Sequence, residues 1–177
     1  GPSRGARLGA PRSGNTWAVS IRPAEPRDVP ALIDMVRELA EYENAPEQAI
    51  ATEADFTRDL FGENPRVHAL VVEVSGEVVA YAFYFLNYST WLGRHGIYLE
   101  DLYVRPTLRG QGFGKALLIQ LARECVENGY GRLDWSVLDW NTPSRDFYAA
   151  LGAKGLTEWV PYRAEGDALV NLARLGN

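Results

Sequence analysis

The sequence predicts a mixed α/β (α+β) layer domain, one body over residues 18–177 of a 177-residue chain. Three observations carry this. Short apolar runs read as strands, segments with apolar residues at helical spacing lie between them, and glycines or prolines punctuate the boundaries. Neither an internal repeat nor a linker divides the body.

Val19–Arg22 reads as a strand stopped by Pro23. A helix follows, with Asp28 as its expected N-cap, Pro30 in the first turn, and Val29, Leu32, Ile33, Val36, Leu39 and Ala40 on one buried face. The pattern ends near Tyr42–Pro46. Thr52-x-x-Asp55 has the form of a capping box, and the helix it starts turns Phe56 and Leu60 inward and stops at Gly62. His68–Val74 and Val78–Phe85 flank a Ser75-Gly76 turn and predict a β-hairpin. Ile97–Val104 is a further strand ended by Pro106, and Gly112–Asn128 is a long helix stopped by Gly129. Arg132–Leu138 reads as a strand, Pro143–Leu151 as a short helix closed by Gly152, and Gly155–Tyr162 and Ala168–Leu172 as two last strands. Residues 1–17, rich in Gly, Pro, Arg and Ser, read as a disordered leader or a cleavage remnant.

Charge and composition exclude several functions. The net charge is −5, and every acid lies after residue 20 whereas Arg4, Arg7 and Arg12 lie before it, so the body is more acidic than the whole. A nucleic-acid binder needs the opposite balance. The surplus suits a cationic partner, although solubility alone accounts for it. The single cysteine, Cys125, permits no intrachain disulfide and fits a reducing, cytoplasmic compartment. No apolar run reaches the length of a membrane span. His68 and His95 stand far apart, without the spacing of a metal site, so no metal is expected.

The sharpest motif is Arg109-Gly110-Gln111-Gly112-Phe113-Gly114-Lys115, between a strand and a long helix. Repeated glycines let backbone N–H groups converge, and the helix start adds free donors and a positive dipole end. The result is a phosphate cradle, with Arg109 and Lys115 supplementing its charge. A dinucleotide fingerprint from Gly110 or Gly112 would need glycine where Lys115 or Leu117 stands, and a P-loop would need a hydroxyl at Ala116.

Arg109-x-x-Gly112-x-Gly114 resembles the coenzyme A pyrophosphate motif of the GNAT superfamily of N-acetyltransferases. The blocks Glu38-Leu39-Ala40-Glu41-Tyr42-Glu43, Tyr98-Leu99-Glu100-Asp101-Leu102-Tyr103-Val104, Leu138-Asp139-Trp140-Asn141 and Phe147-Tyr148-x-x-Leu151-Gly152-Ala153 resemble its diamine (spermidine/spermine-type) group. Tyr88-Ser89-Thr90-Trp91 is most similar to the thialysine N-epsilon-acetyltransferase branch. The resemblance covers roughly residues 20–175 and implies a mixed, mostly antiparallel sheet splayed at the coenzyme site. Thr90 departs from the polyamine-specific members, which carry an acid there, and the segment after Leu156 is shorter than in either animal branch of the group.

The resemblance also implies a chemistry: acetyl transfer from acetyl-CoA to the primary amine of a small cationic substrate, thialysine- or lysine-like or a diamine, by direct attack. A protonated alkylamine must lose a proton, and Glu100 is the expected base, holding a water. Strand alternation lets only one of Glu100 and Asp101 face a given cleft, barring a bulge, which leaves Asp101 a structural role. Tyr148 is the expected general acid toward the leaving thiol. Coenzyme contacts are expected from Leu102, Tyr103, Val104, Arg109, Gly110, Gln111, Gly112, Phe113, Gly114, Lys115, Asp134, Trp135, Ser136, Asn141, Thr142, Pro143 and Ser144. Tyr42, Glu43, Trp91 and Glu100 are expected at the amine site, and a homodimer is expected. The competing readings are a protein N-terminal or lysine acetyltransferase on the same fold, and a non-catalytic acyl-CoA-binding module.

Overall fold

The computed structural model describes residues 18–176; the leader expected over residues 1–17 lies outside them. The chain forms two compact units, one ending at Ser136 and the other beginning at Val137. The first holds β1 (Val19–Pro23), α1 (Val29–Tyr42), α2 (Glu53–Phe61), β2 (Val67–Val74), β3 (Glu77–Ser89), β4 (Arg94–Val104), α3 (Phe113–Asn128) and β5 (Leu133–Trp135). The second holds α4 (Thr142–Ala150) and α5 (Asp167–Ala173).

The sheet runs in sequence order, β1-β2-β3-β4-β5. The first three pairings are antiparallel, and β4 pairs β5 in parallel after the α3 crossover. Ser75 and Gly76 both take positive φ, the geometry that closes a two-residue hairpin between β2 and β3. Leu32 and Met35 of α1 and Leu60 of α2 pack on Ala69, Val71, Tyr81 and Tyr103, forming the core of one face. α3 covers the opposite face: Tyr84 of β3 donates to Glu124 of α3, and Gly114 of α3 lies against Leu102 and Val104.

Local chemistry explains where elements start. Thr52 and Asp55 exchange both capping-box bonds at the start of α2, as the sequence predicts. Asp28 holds the N-cap position of α1, as expected, but its side chain does not cap that helix. A one-turn 3₁₀ helix beginning at Pro26 precedes α1, and Asp28 makes no cap bond to α1. Its carboxylate instead accepts from the Glu25 N–H at 2.7 Å and from both Arg22 terminal nitrogens at 2.7 and 2.9 Å, fastening β1 to the entry of α1.

The strands differ from expectation in three ways. The strand expected over Arg132–Leu138 is only Leu133–Trp135, the stretch that pairs with Ile97–Leu99 of β4. β3 and β4 run past Phe85 and begin before Ile97, meeting in a turn at residues 90–93. The two extensions pair with each other, from Phe85 opposite Tyr98 to Ser89 opposite Arg94. Gly155–Tyr162, in contrast, forms no strand, and Ala168–Leu172 lies within helix α5. A strand needs a ladder partner, and no second strand exists among the described residues of this unit. A helix closes its hydrogen bonds internally, so the last apolar run takes that form.

Candidate active site

The site begins with one extra residue in β4. Phe83 of β3 lies opposite Asp101, and the next residue, Tyr84, lies opposite Leu99, so Glu100 has no cross-strand partner and forms a β-bulge. Tyr84 reaches α3, which places its partner Leu99 on the α3 face. Alternation then turns Glu100 toward the α1 face. The extra residue returns Asp101 to that same face, where Tyr81 donates to Asp101 Oδ2 at 3.2 Å. The two adjacent acids therefore share a face: the bulge is the exception under which strand alternation no longer separates them.

Their environments differ. Glu100 is exposed, whereas Asp101 is half-buried. Burial raises the Asp101 carboxyl, and the neighbouring charge of Glu100 adds to this. The hydrogen bond from Tyr81 opposes them, Glu43 adds a smaller push, and Asp101 comes to about 6. Glu43 stands just past α1, and partial burial raises its own carboxyl. Helix α1 and strand β4 thus bring Glu43, Glu100 and Asp101 into one electrostatic cluster. The sequence reading kept Asp101 to a structural role, and the structure adds its place in this cluster. Its signal was the doublet itself, two consecutive acids in an otherwise apolar strand.

β5 accompanies β4 only over Ile97, Tyr98 and Leu99. Past Leu99, no described strand pairs with that edge of β4, so the sheet is open beside residues 100–104. The side chains of Leu102 and Val104 lie toward α3. Tyr103 is buried on the other face and donates to Glu38 at 3.1 Å. These three residues can therefore serve a ligand on the open side mainly through their backbones.

The glycine loop follows a short 3₁₀ turn, Pro106–Leu108. Gly110 and Gly112 have φ of +81° and +82°, and an added Cβ at either would meet nothing, so backbone handedness and not space requires glycine there. No side chain caps α3, so its first N–H groups remain available. Lys115 is exposed beside them, while Phe113 is buried and belongs to the core. Arg109 does not extend toward this cradle. Its Nε donates to the Val104 carbonyl at 3.2 Å, and its guanidinium lies 5.4 Å from the Tyr42 ring centroid and 5.7 Å from that of Tyr103.

The other expected residues are distributed. Asp134 accepts from Asn87 at 3.4 Å, and Ser136 Oγ lies 3.0 Å from the Tyr98 hydroxyl. In the second unit, Asn141 caps α4 by accepting from the Ser144 N–H. Thr142 and Pro143 form the first turn of α4, and Tyr148 lies further along it, half-buried, with its ring 5.6 Å from that of Phe147. Trp91 is 83% exposed at the β3–β4 turn. The stretch Arg94–Glu100 separates it from the acids by about 20 Å of extended chain, so the structure does not bring it to them. Among the described residues, no cluster of three or more His, Cys, Asp or Glu could hold a metal ion, and no helix is long and apolar enough to cross a membrane.

Comparison with known proteins gives a consistent result. The family model for the acetyltransferase (GNAT) family matches residues 32–153. The chain is 43% identical to a thialysine N-epsilon-acetyltransferase of Bos taurus, over 88% of this chain and 97% of that protein. It is 28% identical to an L-ornithine N5-acetyltransferase of Arabidopsis thaliana, over 92% and 91% of the two chains. Among solved structures, an integron cassette protein of V. cholerae superposes with a TM-score of 0.74 at 28% identity, covering 88% of this chain and 98% of that one.

Proposed function

The chain belongs to the acetyltransferase (GNAT) family, and from that premise we propose that it transfers acetyl from acetyl-CoA to the side-chain amine of a lysine- or thialysine-like amino acid, with diamines next in preference. The observation that carries the amine preference is the Glu100 bulge, which turns two carboxylates toward the same face as Glu43. A protonated amine is attracted there by charge, and must then give up a proton to react.

The cradle residues fit an anionic pyrophosphate: two left-handed glycines, an uncapped α3 start and the exposed Lys115. Acetyl-CoA, when bound, supplies an activated acetyl thioester. In this reading the loop 110–115 holds the pyrophosphate, and backbone N–H groups of Leu102–Val104 polarise the acyl oxygen from the open edge of β4. Glu100, through a water, and Asp101 take up the ammonium proton, while Glu43 holds a distal cationic group. Tyr148 protonates the leaving sulfur. Asp134–Ser136 and Asn141–Ser144 line the coenzyme arm. Trp91 remains a proposed substrate contact on the resemblance alone.

The single buried cysteine supports a cytoplasmic, reducing location in the same proposal. Exposed Trp159, Val160, Tyr162 and Leu175 of the second unit support a homodimer that covers them.

The test is an amine panel with acetyl-CoA: thialysine, lysine, ornithine, putrescine, spermidine and a peptide with a free N-terminus. The expected order of kcat/KM runs from amino-acid side-chain amines through diamines to spermidine, with the peptide last. A peptide ranked first would make this a protein acetyltransferase. CoA binding without turnover of any amine would make it a binding module.

The acids make a second prediction. kcat/KM reports the free enzyme, so it should fall below about pH 6 as Asp101 takes a proton. Asp101→Asn should remove that limb and lower the plateau, whereas an unchanged limb would exclude Asp101 from the proton path.

A further inference from the structure

The loop carries two cations, Arg109 and Lys115, and both suit a phosphate by charge. Their placement separates them. Lys115 is exposed on the first turn of α3, beside the uncapped N–H groups. Arg109 turns the other way. Its Nε is committed to the Val104 carbonyl, and its guanidinium lies over the rings of Tyr42 and Tyr103. A planar guanidinium stacked on aromatic rings is held by its face and its fork together, a combination that an ammonium cannot copy.

These contacts lead to one place. Tyr42 is the last residue of α1, and Glu43 follows it as the C-cap. Tyr103, the other ring under Arg109, donates to Glu38 one turn earlier on α1. Glu38 in turn pairs with Arg105 at 3.5 Å. The loop is therefore braced against the end of α1 by Arg109 directly, and through Tyr103 and Glu38. Beyond that end the chain leaves the helix through Asn44, at φ +60°. Glu43 sits between the brace and the turn, close enough to Asp101 to raise its carboxyl.

We infer that Arg109 is a positioning residue that couples the coenzyme loop to the amine site, so that filling the loop fixes the end of α1 that presents Glu43. This rests on the proposed use of acetyl-CoA. A ligand moves an equilibrium only through a difference in its affinity for two states. Here the difference is the loop held around an anion, with Arg109 seated on its two rings, against the loop and the α1 end moving independently. By linkage, the amine must tighten coenzyme binding by the factor with which the coenzyme tightens amine binding. A factor of about 10 is typical of such coupling.

The experiment uses the full chain, with CoA as the probe, and wild type, Arg109→Lys and Arg109→Met. Hydrogen exchange is followed over residues 109–116 and 39–45 with and without saturating CoA, and Kd for CoA is measured without amine. In the wild type, CoA should protect both segments. In Arg109→Lys it should protect 109–116 alone, and the amine KM at saturating acetyl-CoA should rise about 10-fold with kcat within threefold. Kd for CoA without amine should stay within about threefold in both variants. The inference is overturned if wild-type CoA protection stops at the loop or if Arg109→Lys keeps the protection of 39–45. It is overturned equally if Arg109→Met weakens CoA more than tenfold, which would make Arg109 a phosphate contact. If CoA protects neither segment of the wild type, the acetyl-CoA reading itself fails, and the silent loop marks that case apart.

Discussion

Tyr148→Phe should lower kcat by about two orders of magnitude while Kd for CoA stays within threefold. The hydroxyl is all that the substitution removes. α4 keeps its Asn141 cap, and the ring beside Phe147 keeps its volume. A thiolate departing into a site without a proton donor must leave as the anion, and supplying a positioned donor is worth about 10²–10⁴ in rate. Single-turnover measurement with pre-bound acetyl-CoA separates this step from coenzyme binding. An unchanged single-turnover rate would take Tyr148 out of the mechanism. A loss confined to coenzyme affinity would make it a binding residue.

Asp101→Asn should make the protein more stable at pH 8 by at most about 3 kcal/mol, and no more stable at pH 4. Burial and Glu100 raise the Asp101 carboxyl in the folded chain from 3.8 to about 6. The folded state then binds this proton more tightly than the unfolded chain. The stability it contributes is fully present below about pH 4 and is lost as pH rises through about 6. Asparagine carries no charge and still accepts from Tyr81, so the variant avoids the loss at high pH. For a chain of this size that is a rise of about 5–10 °C in Tm at pH 8, read by calorimetry across pH 4–8. A Tm difference independent of pH would exclude the ionised Asp101 as its source. The same substitution should impair turnover, so stability and activity move in opposite directions at one atom group.

The parts of the site that depend on backbone handedness were legible in the sequence. Gly110 and Gly112 sit where only glycine turns easily, and the loop between strand and helix follows from that. Ser75-Gly76 and the Thr52 capping box were legible for the same reason, because each is settled within four residues. Asp101 was not. Alternation assigns faces only while strands stay in step, and the step is broken by pairing with Phe83 and Tyr84, nearly twenty residues away in sequence. The direction of Arg109 was equally hidden, since its partners come from α1 and β4. The end of the chain misled for another reason: Trp159, Val160, Leu169 and Leu172 are apolar enough for strands, yet the described second unit offers no ladder.

The bulge also bears on how this site can be gained and lost over time. Glu100 is the residue that β4 holds in excess of its neighbour. An in-frame loss of its one codon would join Leu99 to Asp101 and leave the rhythm of β4 intact, Leu99 still toward α3 and Asp101 still toward α1. Loss of a codon outside the Glu100–Asp101 pair would turn part of the strand inside out. A lineage can therefore drop or recover the outer acid in a single event while keeping the scaffold, the glycine loop and the inner acid as they stand.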